Sequence, residues 1–192
     1  MKYILLSLIL ISFQKVGLCQ NNIALVNKLQ GLYIFNDCLP TNEYEIIGEI
    51  STDGFSDKEI INSKGQYAPV RDFLIKTARQ VNYLADGLIL SLVNGGSDKA
   101  TIIKFKEVNP NNNRAKVNQY QGVLVFIDNE PLTTHEYINT VKIKGNLSSN
   151  QYTSVRDKLL ERCKIDFADA RAIILKFING GNDTGEIIRF TK

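Results

Sequence analysis

The sequence predicts an α+β fold formed by tandem duplication of a β-β-α-β-β unit, each unit an antiparallel sheet with one helix on a face. The first observation is self-similarity: residues 26–106 return as residues 117–192, which indicates a repeated structural unit. The second is that each copy places one segment of helical period between short β-rich segments. The best-matched segments are Gln66-Tyr67-x-x-Val70-Arg71-Asp72-x-Leu74 with Gln151-Tyr152-x-x-Val155-Arg156-Asp157-x-Leu159, and Phe35-x-Asp37-x-x-Pro40 with Phe126-x-Asp128-x-x-Pro131.

The strands follow the same order in both copies. In the first copy we expect strands over residues 31–35, 44–51, 87–94 and 100–106, and in the second over residues 123–126, 137–143, 172–179 and 186–191. The glycine pairs at 95–96 and 180–181 permit positive φ and indicate hairpins between the last two strands of each copy.

The predicted helix of each copy carries apolar residues at every fourth position. Pro69 suits the first helical turn of the first copy, and Thr153 is expected to be the N-cap of the second. The apolar positions are Val70, Leu74 and Ala78 in the first copy, and Val155, Leu159 and Cys163 in the second. The side chains expected to be buried are Val70, Leu74, Ile89, Ile103 and Phe105, with Val155, Leu159, Ile174, Ile188 and Phe190.

The domain organisation follows from the repeat. Residues 26–106 and 117–192 form the two units, and residues 107–116, with Pro110 and four asparagines, are the predicted linker. When Tyr44 is aligned with Tyr137, the second copy gains two residues after its proline and is shorter before its helix. We therefore expect the copies to superpose, with surface loops and the largest differences at residues 51–66 and 131–137.

Residues 1–19 are interpreted as a secretory signal peptide. Lys2 gives a positive start, residues 3–13 are an apolar run too short to span a bilayer comfortably, and Gly17 and Cys19 are small residues before a cut. The mature chain then begins at Gln20. The alternative is lipidation at Cys19, for which the preceding Leu18 is a poor fit. Either reading predicts an exported protein, periplasmic or secreted, with no transmembrane segment in the mature chain.

Charge and cysteine content exclude several classes of function. The formal net charge of +3 falls to +1 once Lys2 and Lys15 are removed, and no basic face indicates nucleic acid or anionic membrane as a partner. The mature chain keeps Cys38 and Cys163. A disulfide between them would have to join the two copies. The helical stripe that holds Cys163 favours a buried thiol instead, and no C-x-x-C pair indicates a redox or metal site.

Short motifs of the first copy resemble a known family. Tyr44-x-x-x-Gly48 and Ala85-Asp86-Gly87 before an apolar strand resemble the YbjQ-like family of small bacterial domains labelled heavy-metal-binding. The resemblance covers one repeat at a time and implies a related β-β-α-β arrangement. In the second copy Val141 is aligned with the glycine, and Ala170-Arg171-Ala172 replaces the second motif. The metal-binding label does not carry over, because no ligand cluster accompanies the motifs.

The strongest candidates for contact with a ligand or partner are Arg71, Asp72, Arg156 and Asp157. Arginine presents a fork of donors suited to carboxylates, and the repetition would give two equivalent contacts. The structural interpretation, which we favour, places each aspartate in the first helical turn, where the helix dipole stabilises it. The arginine would then hold the preceding loop.

Other polar residues give weaker signals. His135, the only histidine, is aligned with the two extra residues of a loop, and without other His or Cys ligands it does not indicate zinc or copper. Asp98 and Asp183 follow the double glycines. They offer too few oxygens for calcium, and a phosphate loop would have to open a helix. Asn146-x-Ser148 and Asn182-x-Thr184 match the N-glycosylation pattern.

We therefore expect an exported, non-enzymatic, two-repeat module that binds an unknown protein or small ligand, with no cofactor and no metal. One alternative is a structural envelope-associated protein, lipid-anchored through Cys19. A second is a hydrolase that uses carboxylates such as Asp37 and Asp128 near the end of the first strand, although aspartate is common there for backbone reasons alone.

Intact-mass analysis of the exported protein tests the leader. We expect the mass of a chain that begins at Gln20, because the apolar run and the small residues place the cut after Cys19. A retained Met1, or a diacylglycerol adduct on Cys19, would contradict simple cleavage.

Overall fold

The computed structural model describes residues 21–53, 66–94, 97–143, 151–178 and 183–191. The predicted leader, the glycosylation asparagines, the double glycines and most of the loop expected to differ at residues 51–66 lie outside this range. The elements of the first half are β1 (Ile23–Val26), β2 (Lys28–Leu29), β3 (Leu32–Asn36), β4 (Cys38–Pro40), β5 (Tyr44–Ser51), α1 (Tyr67–Val81), β6 (Gly87–Ser91) and β7 (Lys99–Phe105). Those of the second half are β8 (Arg114–Val117), β9 (Gln119–Tyr120), β10 (Val123–Ile127), β11 (Asn129–Pro131), β12 (His135–Lys142), α2 (Tyr152–Asp166), β13 (Ala172–Lys176) and β14 (Thr184–Phe190).

The fold is α+β, with two helices and three sheets among the described residues. Two of the sheets have five strands, in the orders β2-β3-β6-β7-β5 and β9-β10-β13-β14-β12. These sheets are mixed, and the expectation of purely antiparallel sheets is wrong. β3 pairs with β6 in parallel, as does β10 with β13. The chain between each pair crosses over through two strands and a helix, and a parallel pair requires a long connection of this kind.

The third sheet combines strands from both halves in the order β11-β1-β8-β4, with every pair antiparallel. Its central pair places Ala24 opposite Ala115, which are equivalent residues of the two copies, so a pseudo-two-fold axis passes between them. The sequence does not predict these strands, because three or four residues are too few to show alternation. β8 begins at Arg114, so the last residues of the predicted linker belong to this sheet.

The pairing of the edge strands β5 and β12 corrects the sequence alignment between the two copies. Tyr44 pairs with Phe105, and His135 pairs with Phe190. Since the two phenylalanines are equivalent, His135 is the counterpart of Tyr44. The second copy therefore has no extra residues after Pro131, and the difference expected at residues 131–137 is absent. Both edge strands bulge at the same point, between Ile46 and Gly48 and between Tyr137 and Asn139, so the counterpart of Gly48 is Asn139. The alignment misplaced them because it matched the two tyrosines.

Both helices begin at the repeated tyrosine. α1 has Gln66 as its N-cap and α2 has Gln151, neither with a side-chain capping hydrogen bond. Thr153 is thus inside α2 and is not its cap; its buried hydroxyl has no hydrogen-bond partner among the described residues. No described helix is long and apolar enough to cross a membrane.

Two hydrophobic cores cover both faces of the five-stranded sheets. The first lies under the helices and contains residues of both halves, among them Leu74, Leu88, Leu159 and Ile173. The second lies between those sheets and the shared sheet. The expected core is confirmed for Val70, Leu74, Ile103, Phe105, Val155, Leu159 and Ile188. Ile89, Ile174 and Phe190 are only partly buried, packed against the second core.

Candidate functional site

Asp37 links the two halves of the molecule. It lies between β3 and β4 with φ of 52°, a left-handed conformation that aspartate tolerates better than most residues. This bend carries the chain out of its own five-stranded sheet and into the shared one. The carbonyl of Asp37 then accepts a hydrogen bond from the Asn118 N–H at 2.8 Å.

The side chain of Asp37 accepts three hydrogen bonds from the second half. Tyr152 OH and Arg156 Nη1 both donate to Oδ2, the arginine at 3.0 Å, and Tyr120 OH donates to Oδ1 at 2.8 Å. The guanidinium of Arg156 also lies 4.0 Å from the centre of the Tyr120 ring, where a cation–π contact is favourable. The α2 helix is therefore held by its first turns to the strand bend of the other copy.

Asp128 makes the reciprocal contact. Its φ is 53°, and its Oδ2 accepts hydrogen bonds from Tyr67 OH and from Arg71 Nη1, the latter at 2.8 Å. Its carbonyl accepts from the Asn27 N–H at 3.3 Å. We refer to the Asp37 and Asp128 contacts together as the reciprocal clamps.

The two clamps differ in the number of hydrogen-bond donors and in the burial of their side chains. The counterpart of Tyr120 is Leu29, which pairs with Leu32 as Tyr120 pairs with Val123, so Asp128 lacks the third donor. The side chains of Arg156 and Asp37 are 11% and 13% exposed, compared with 17% and 25% for Arg71 and Asp128. The Asp37 clamp is thus the better satisfied and the more deeply buried.

The clamps meet at the pseudo-two-fold axis. The rings of Tyr67 and Tyr152 lie 5.4 Å apart, and Phe177 contacts both, at 5.0 and 5.4 Å. Such distances suit tilted aromatic pairs. Both tyrosine hydroxyls point outward from this cluster to the aspartate of the opposite copy, so the apolar and polar contacts between the halves share two side chains.

Burial and neighbouring charges shift the pKa values of the clamp tyrosines and arginines. Burial raises the pKa of Tyr67 and of Tyr152 well above the ordinary value, and the neighbouring aspartate charge raises it further. Burial opposes the charge on Arg71 and Arg156, yet contacts with the aspartates hold the pKa of both above the ordinary value. The tyrosines are therefore neutral donors and the arginines permanent cations at neutral pH.

Of the four ligand-contact candidates, the two arginines are engaged within the protein. Arg71 also binds Asp72, with 2.9 Å from Nε to Oδ1, and Arg156 binds Asp157 in the same way. The expected place of the aspartates in the first helical turn is wrong. Because the helices begin at Tyr67 and Tyr152, no acidic residue lies in either first turn, and the helix dipole does not explain the motif. Each aspartate instead orients the arginine that reaches across the axis.

The hairpin aspartates, Asp98 and Asp183, accept hydrogen bonds from backbone N–H groups. Asp98 Oδ1 accepts from the Val93 N–H at 3.1 Å, and Asp183 Oδ1 accepts from the Ile178 N–H at 3.0 Å. Burial raises the pKa of Asp183. The two residues thus make equivalent contacts at the ends of the β6–β7 and β13–β14 pairs, as expected for hairpins.

His135 and the two cysteines lie in different environments in the described structure. His135 is exposed at the start of β12, with Nδ1 3.2 Å from the Thr133 carbonyl. Cys38 and Cys163 are free and buried, which confirms the buried-thiol interpretation. Burial raises the pKa of Cys38 to about 12 and of Cys163 to about 11. Cys38 Sγ accepts from Asn129 Nδ2 at 3.7 Å, so these equivalent positions face each other across the axis.

The described structure has a polar cleft on the first half and an apolar cleft mainly on the second half, with Asn21 of the first half also lining it. The polar cleft of about 340 Å³ includes Asn42, Glu43 and Lys106, and the apolar cleft of about 270 Å³ includes Phe167, Ile187 and Phe190. Among the described residues, no three His, Cys, Asp or Glu side chains are placed to hold a metal ion.

The sequence reasoning missed the roles of Tyr67, Tyr152 and Tyr120. A signal for the first two was present, because polar side chains repeated in both copies alongside Arg71 and Asp37 indicate a shared polar contact. Tyr120 is unique to one copy, and no pattern marks it.

Comparison of the chain with protein-family models, with characterised proteins and with solved structures finds no match.

The unequal clamps predict unequal costs. We expect Asp37→Asn to lower the free energy of unfolding by about 3 kcal/mol, since it leaves the buried Arg156 with only the more exposed Asp157 as a counter-charge, and Asp128→Asn to lower it by about 2 kcal/mol. Urea unfolding at neutral pH measures both. The matched control is Asp72→Asn with Asp157→Asn, whose side chains are 47% and 56% exposed and should cost well under those amounts. Equal costs at the two clamps, or the reverse order, would contradict this ranking.

The raised tyrosine pKa values predict a loss of stability in alkali. The folded state keeps the Tyr67 and Tyr152 protons above pH ~10, where the unfolded chain releases them. Their contribution is therefore complete below that pH and is lost as pH rises further. Cys38 acts in the same direction from about pH 9. The double variant Tyr67→Phe with Tyr152→Phe should lose less stability than the wild type between about pH 8 and pH 11.

The urea midpoint measured at both pH values tests this, with Tyr83→Phe as the control because Tyr83 is 80% exposed. An alkaline loss in the double variant as large as in the wild type would show that these tyrosines do not cause it.

Proposed function

We propose that the chain is an exported, non-enzymatic binding module formed by tandem duplication of a β-β-α-β-β unit, which three further short strands extend in each copy. In the mature protein the two copies would present one surface of fixed geometry to a protein or a small ligand. The observation that carries the proposal is the pair of reciprocal clamps, because they hold the copies in a single relative orientation. A fixed orientation has value when two separate surfaces must meet one partner together.

The duplication is supported by the matching order of the elements. Each half contributes two strands to the shared sheet and five to its own sheet. Each also has its helix between the same two strands. The bulges in β5 and β12 fall at equivalent residues, which an accidental likeness would not require.

Binding is favoured over carboxylate-based hydrolysis by what Asp37 and Asp128 contact. A general base or nucleophile has to reach the substrate, whereas both aspartates accept hydrogen bonds from an arginine and a tyrosine of the opposite half. Those contacts hold both carboxylates within the protein.

The second candidate is a structural protein of the cell envelope, anchored by lipid at Cys19. Its specific support is the cysteine at the predicted end of the leader. The mass of the mature N-terminus separates it from the soluble module. The likeness to YbjQ-like domains stays a prediction about one repeat.

A variant without His135 and the mature cysteines tests the non-enzymatic proposal. We expect Cys38→Ser, His135→Ala, Cys163→Ala to keep the partner captured from an envelope extract, although the loss of Cys163 packing lowers its stability. The purified wild type should contain no stoichiometric transition metal. A bound zinc ion, or a turnover lost with His135→Ala alone, would restore the enzyme hypothesis.

Two further variants test the role of the fixed orientation. Asp37→Asn with Asp128→Asn should weaken capture under conditions in which the variant is folded, because the copies are then less firmly held. Asp72→Asn with Asp157→Asn is the matched control and should capture the partner like the wild type. Equal capture by all three proteins would show that the clamps serve folding only.

A further inference from the structure

The apolar cleft lies on one side of the second copy. Ile138, Ile187 and Phe167, which belong to the hydrophobic core on the helix side of the sheet, give the cleft its apolar lining. Arg171 and Arg189 stand at the same cleft, together with Asp169. Its volume of about 270 Å³ is close to the lower end of the range for small-molecule sites.

The two arginines are not equally available. Arg189 Nη1 lies 3.3 Å from Glu136 Oε1 in an exposed pair, with the two side chains 64% and 50% exposed. Arg171 is exposed and makes no side-chain hydrogen bond or ion pair with the described residues. Asp169 is also exposed and is the one carboxylate of the cleft. The cation free to meet a ligand is therefore Arg171.

The first copy lacks this arrangement at equivalent positions. The counterpart of Arg171 is Asp86, whose Oδ2 accepts a hydrogen bond from the Phe105 N–H at 2.9 Å. A carboxylate engaged with its own strand stands where the second copy offers a free guanidinium. The counterpart of Phe167 is Asn82, so an apolar side wall is also missing. The first copy therefore serves as a comparison that lacks the proposed site.

We propose that the cleft of the second copy binds a small amphipathic carboxylate, of the size of an eight-carbon fatty acid. The apolar tail lies against Ile138, Ile187 and Phe167, and the carboxylate meets Arg171. Guanidinium binds carboxylate with two parallel hydrogen bonds, and each buried methylene adds favourable transfer free energy. The inference rests on the proposed binding function and names a ligand class for it.

Octanoate, titrated into the exported protein by calorimetry, tests the proposal. We expect saturable one-site binding, and we expect Arg171→Gln to weaken it about tenfold or more, the loss typical of a charged hydrogen-bond partner. Arg171→Asp, which copies the first repeat, should abolish binding, and Asp169→Asn should strengthen it by removing a competing carboxylate. Lys104→Gln, at the counterpart of Arg189, is the matched control and should leave the affinity unchanged.

Octanol and acetate separate the two parts of the site. Both should bind far more weakly than octanoate, because one lacks the charge and the other the tail. Octanol as tight as octanoate, an Arg171→Gln affinity equal to that of the wild type, or no saturable binding at about 10 mM octanoate would overturn the proposal. If octanoate does not bind while the envelope partner is still captured, the proposed site is wrong and the binding-module proposal is retained. If neither binds, both proposals are rejected.

Discussion

The left-handed backbone at Asp37 and Asp128 is the constraint on which the rest of the structure depends. The bend moves the chain from a five-stranded sheet into the shared sheet, so the strands β4 and β11 exist because of it. The same residue then offers its carboxylate to the arginine and tyrosine of the opposite helix. One residue in each copy therefore determines strand exchange, helix position and the main polar contact between the halves.

The two copies form one body, and neither buries its surfaces alone. The shared sheet needs strands from both, and the core under the helices is continuous through Tyr67 and Tyr152. A unit of this size has a marginal core by itself. The pairing adds a second apolar layer, where Ala24 and Ala115 are fully buried opposite each other. Alanine suits that place, since cross-strand Cβ atoms are only about 5 Å apart.

The sequence predicted most of the elements of each unit, because their apolar periodicity is local. The hairpins, the helical stripes and most core side chains, such as Leu74 and Leu159, follow from it. The shared sheet did not, because its partners lie in the other copy and its strands are too short for a period. The parallel pairing of β3 with β6 also depends on a crossover that residue patterns alone do not specify. The clamps were seen only as a repeated Arg-Asp pair, since a contact across an axis has no fixed spacing.

The axis and the periphery of the molecule are under different constraints. At the axis, the aspartate of each copy contacts the tyrosine and the arginine of the other copy. Both copies therefore need all three residues. Away from the axis the two copies differ more freely, and Asp86 in one stands where Arg171 stands in the other. A site specific to this protein therefore belongs where the copies differ. The cleft beside Arg171 meets that condition, whereas the repeated residues, which are the most visible in the sequence, serve to hold the halves together.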